Sequence, residues 1–74
     1  MQTSRLWADL ERDAHRAVLE LLERKQTISD PESIANRILL ARSDVSASMR
    51  EAYLEPLAAV VRKYAELLSA RQQA

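Results

Sequence analysis

Between Leu6 and Leu22 the apolar residues return at helical spacing and take up more of the helix than a single core-facing stripe needs. Leu6, Leu10, Ala14, Ala17 and Leu21 form one row, with Trp7 at its edge. Val18, Leu22, Ala8 and Leu19 carry the row round the other side, and only Glu11 and His15 interrupt it. The apolar arc spans roughly 220°, where a surface helix needs about 100° or a little more. A second segment behaves alike: Met49, Tyr53, Leu57, Val60, Val61, Tyr64, Leu67 and Leu68 make a broad stripe that Ala52, Leu54, Ala59 and Ala65 widen. A helix apolar nearly all round must be covered nearly all round. A chain of 74 residues has little material to cover two such helices. The arcs therefore predict a bundle completed by a second copy, a homodimer, with Leu19 and Leu22 outside the core of one chain.

The rest of the sequence agrees with helices. Glycine is absent, proline occurs twice, and Ala, Leu, Arg and Glu dominate, which leaves little to build strands from. The expected fold is all-α, a single domain over residues 1–74 with helices at about 3–25, 31–42 and 45–71. Ser29 and Glu32 stand in capping-box spacing with Pro31 in the first turn, so a helix starts there. Ser48 and Glu51 offer the same spacing again. Pro56 lies inside the last segment, where it should kink the helix or restart it, giving three helices or four.

Much chemistry is excluded. Without glycine there is no phosphate-cradling loop, dinucleotide fingerprint or nucleophile elbow. Without cysteine there is no disulfide, thiol nucleophile or zinc finger. His15 is the one histidine, and Glu11 four residues before it makes an ordinary helical pair. Acid pairs such as Glu51 and Glu55 sit on consecutive turns of one face and do not flank a cleft. No catalytic residue, metal or cofactor is expected. Acidic and basic side chains balance at 11 each, so the broad basic excess of nucleic-acid and anionic-membrane binders is missing. The opening "QTSRLWADLERD" has no apolar signal-peptide core, and the longest apolar run, "LAAVV", is too short for a membrane span, so a cytoplasmic protein is expected.

One stretch carries a resemblance. "ESIANRILLARSDVSASM", residues 32–49, resembles the helix-turn-helix of lambda-type repressors. Ala35 matches the small residue at the centre of that family's first helix, Ile34, Ile38 and Leu40 match its apolar positions, and Val45 matches an apolar residue of the second helix. Leu39 stands where the family usually has glycine, and Ser48 where it has a second apolar anchor. The resemblance implies a DNA-binding transcriptional regulator in which Arg42, Ser43, Ser46 and Ala47 face the groove.

The balance of charge and the wide apolar arcs favour a protein partner over DNA. The leading expectation is a non-enzymatic regulator, inhibitor or adaptor that binds protein through helix surface. Aromatic residues and arginine dominate such interfaces. Trp7 and Tyr53 are the candidate anchors, Arg12 and Arg16 their polar neighbours, and Leu19 and Leu22 the adjoining apolar surface.

Overall fold

The computed structural model describes residues 2–73. It contains three helices packed on one another, α1 (Gln2–Glu23), α2 (Pro31–Leu40) and α3 (Ala47–Gln73), with no strand among the described residues. At 1.5 Å per residue they are about 33, 15 and 40 Å long.

Each boundary has a local cause. α1 ends at Glu23, two residues short of the expected end. The Lys25 N–H donates to the Leu22 carbonyl (2.9 Å) and the Gln26 N–H to the Leu21 carbonyl (2.9 Å). Lys25 sits in the left-handed region, with φ 59°. That is the Schellman stop, usually built on glycine; here a lysine takes the position at a cost of about 1–2 kcal/mol.

α2 begins at Pro31, and its cap is Asp30 instead of Ser29: the Asp30 carboxylate accepts from the Ser33 N–H at 3.2 Å. Pro31 decides this. Proline prefers the first helical position, where its missing N–H has no helical partner to lose, and the residue before it becomes the cap. α2 ends at Leu40, two residues earlier than expected, and residues 41–46 form the turn. α3 therefore starts at Ala47, two residues later than expected, and runs to Gln73. Ser46 caps it, its Oγ accepting from the Met49 N–H at 3.3 Å, so Ser48 is inside the helix and is not its cap. Pro56 does not restart the helix, which continues through it. Both Pro56 and Ala52, whose carbonyl loses its donor to the proline, are exposed. Water can satisfy that carbonyl.

The directions of the helices follow from a few contacts. Trp7 meets Tyr53 and, further along both helices, His15 meets Tyr64. α1 and α3 therefore run parallel. Arg42, just past the end of α2, reaches Asp9 and Asp13, before and at the middle of α1, so α2 runs back along the pair. The core is the line where the three meet: Leu10, Ala14 and Val18 from α1, Ile34, Ala35 and Leu39 from α2, Val45 from the turn, and Leu57, Ala58 and Val61 from α3. The α1 residues recur every four positions, and on α3 Val61 follows Leu57 by four and Ala58 by three, the spacing that keeps one face on a neighbour. No polar or charged side chain is buried among the described residues.

Candidate protein-binding face

The three-helix packing covers more of the two arcs than their width suggests. Leu22 is half-buried and packs against the core. Leu19 is half-buried as well but lies outside the cluster that surrounds the core. Among the described residues the large apolar side chains most open to water are Leu40, 56% exposed, and Leu67, 54% exposed.

Trp7 and Tyr53, singled out separately in the sequence, come together. Their ring centroids lie 6.0 Å apart, tilted by 40°, and both side chains are half-buried. That distance is within the range of favourable aromatic pairs. Arg12 and Arg16 are exposed on α1. His15 packs edge-on to Tyr64, with centroids 5.1 Å apart. These pairs lie along the seam between α1 and α3. α2, less than half as long as either, covers only one side of it.

A second cluster was not read from the sequence. Arg42 donates to both carboxylate oxygens of Asp44, from Nε at 3.0 Å and from Nη2 at 2.9 Å. Its Nη1 also donates to Asp13 at 3.4 Å, and its Nη2 lies 3.5 Å from Asp9. The planar guanidinium fork suits this bidentate geometry. One arginine thereby ties the α2–α3 turn to α1. The hydrogen bond from Arg42 holds the Asp44 carboxyl below its ordinary range, and the same bond, with the charges of the three acids, raises Arg42 above its own. The "RSD" of the turn was the available signal for the local pair, whereas Asp9 and Asp13 are reached only through the fold.

The pair makes a prediction. Because Asp44 binds its proton less tightly when folded than when unfolded, its contribution is complete above the ordinary carboxylate range, near pH 4, and is lost as pH falls through its lowered folded value. Arg42→Ala should cost on the order of 1 kcal/mol at neutral pH, less at high salt. The variant should also lose less stability than the parent on acidification to about pH 3. Urea unfolding at the two pH values checks this; parallel losses in both proteins would dissociate the cluster from acid sensitivity.

The residues of the helix-turn-helix alternative are placed as follows. Arg42 is held by three carboxylates, the Ser46 hydroxyl is engaged as the α3 cap, and Ser43 and Ala47 are exposed. A groove of about 640 Å³ lies where the 24–30 connection crosses α3, with Lys25, Arg62 and Glu66 in its wall. Among the described residues no three metal-ligating side chains converge, and no helix is long and apolar enough to cross a membrane. No protein-family model, curated protein or solved structure matches the chain.

Proposed function

We propose that this chain is a small non-enzymatic regulator, an inhibitor or adaptor, that acts by binding another protein on the open side of the α1–α3 seam. The observation that carries the reading is the Trp7–Tyr53 pair: two large, half-buried rings in contact on that seam. Large aromatic rings that keep part of their surface in water are the residue type that dominates interface hot spots. The rival reading, DNA recognition by residues 32–49, requires Arg42 to leave Asp9, Asp13 and Asp44 for a phosphate or a base, and those acids would repel the DNA backbone.

The test is affinity purification of the tagged chain from its own host after nuclease treatment, with Trp7→Ala alongside. A protein should be retained in stoichiometric amount. Trp7→Ala, verified as helical by circular dichroism, should lose it by about 2 kcal/mol, roughly thirtyfold in Kd. Retention of duplex DNA that Arg42→Ala abolishes, with no protein partner, would transfer the assignment to the helix-turn-helix reading.

A further inference from the structure

A surface helix should be most polar on the side opposite the core. α1 obeys this: opposite Leu10, Ala14 and Val18 it carries Arg5, Arg12 and Arg16, all exposed. α3 does not. Opposite Leu57, Ala58 and Val61 runs a row of six exposed residues, Ala52, Pro56, Ala59, Lys63, Leu67 and Ala70, and five of the six are apolar. The exposed polar residues of α3 lie to one side of that row, toward α2. Glu55 and Arg62 line a groove with Pro31 and Glu32, and Glu51 lines another with Asn36. α3 is therefore apolar on two opposite sides over most of its length, and the chain itself covers only one of them.

The surface area gives an independent measure of what is left open. A compact monomer of 8.4 kDa exposes about 4,600 Å². This chain exposes 5445 Å², an excess of roughly 800 Å². Its long, thin shape, 38 × 22 × 17 Å, produces the excess. Each partner in a standard stable interface loses about 800 Å², so the excess equals one copy's share of a dimer.

We propose that a second copy of the chain covers the back of α3, its own α3 laid antiparallel along the row. The inference goes beyond the protein-binding reading and stands without it. The row complements itself when turned end for end about the level of Val61. Ala52 then meets Ala70 of the other copy, Pro56 meets Leu67, and Ala59 meets Lys63. Large residues fall opposite small ones, and the three alanines let the two backbones approach. Lys63 lies along Ala59 with its stem, while its ammonium reaches past the edge into water. A parallel pairing would instead set Lys63 against Lys63 and Leu67 against Leu67. The formal charge of zero leaves no net repulsion between copies. One like-charge contact remains: the antiparallel arrangement brings Glu55 of one copy beside Glu66 of the other. Salt therefore strengthens the dimer by screening that pair.

Sedimentation equilibrium of the full chain over about 1–200 µM is the test, because a dimer's population follows protomer concentration. The mass should double with rising concentration, at lower concentration when salt is added. Ala59→Arg places a second cation against Lys63 and should weaken association at least about tenfold, with helicity unchanged. The chain has no cysteine, so Ala52→Cys and Ala70→Cys report the register. An equimolar mixture of these two single variants should oxidise mainly to the mixed disulfide. In dilute solution, below the association range, Leu67 remains a water-facing position. A single-chain mass throughout the range would overturn the dimer and leave the protein-binding reading untouched. Doubling that Ala59→Arg does not weaken would overturn the placement on α3. Mainly like-with-like disulfides would overturn the antiparallel register. Binding to phosphatidylglycerol vesicles by a chain that stays single would give the row to a membrane instead.

Discussion

Replacing Leu57 by alanine should unfold much of the protein at physiological temperature. Leu57 is fully buried where α3 crosses the core, among side chains that are themselves buried. Truncating such a leucine costs about 2–5 kcal/mol, from lost transfer energy and the cavity left behind. A domain of this size has a total stability of roughly 4–11 kcal/mol. A loss of about 3 kcal/mol lowers Tm by roughly 12–24 °C. Leu67→Ala is the control, since Leu67 is 54% exposed and an exposed substitution shifts stability by about 0.5 kcal/mol or less. Thermal melts by circular dichroism separate the two. Equal small shifts would mean that the face of α3 turned to the core is misassigned.

Leu57 and Leu67 also show what the periodicity leaves open. Both fall in one apolar stripe of α3, yet one is core and the other faces water. A helix reveals its own apolar arc but not which part a neighbour covers. That depends on where α2 lies, and α2's position depends on the turns at 24–30 and 41–46. The all-helical class and the approximate extents of three helices were legible, because composition and spacing act within one segment. The caps were half legible. Ser29 and Ser48 fit the capping box as letters, but Pro31 makes Asp30 the cap, and Ser46 stands one residue before the first turn of α3. Uninterrupted passage through Pro56 depends on packing on both sides of it, by Tyr53 and Leu54 before and Leu57, Ala58 and Val61 after.

The candidate site divides in the same way. Trp7 and Tyr53 stood out as aromatics at the edges of their stripes, but their contact depends on α1 and α3 running parallel. That direction is set by one short helix returning between them. Arg42 was legible as a base beside a would-be groove. Its attachment to Asp13, 29 residues away, was not, since no local rule links a turn to a helix that distant. The arginine row at 5, 12 and 16 was present in the sequence as spacing. The packing sets it on the solvent side of α1, opposite the buried Leu10, Ala14 and Val18.

Pro56→Ala should give the largest gain in stability of any single change. Proline in a helix interior is disfavoured against alanine by about 3 kcal/mol, from the lost hydrogen bond and the clash of its ring with the preceding turn. The helix runs on past Pro56, so the disadvantage is present in the fold and is not avoided by a break. Pro56 is exposed, so alanine loses little packing there. The gain is reduced because proline also restricts the unfolded chain, an effect of about 0.4–1 kcal/mol in its favour. A net gain of about 1–3 kcal/mol is expected, seen as a higher urea midpoint with an unchanged slope. A loss instead would mean that the ring sets the path of α3 by which Leu57 and Val61 reach the core. The same variant informs on function. By helical spacing Pro56 lies between Tyr53 and Val60, on the open side of the seam. If stability rises while partner binding falls, the proline is retained for the shape of that face, at the expense of the fold.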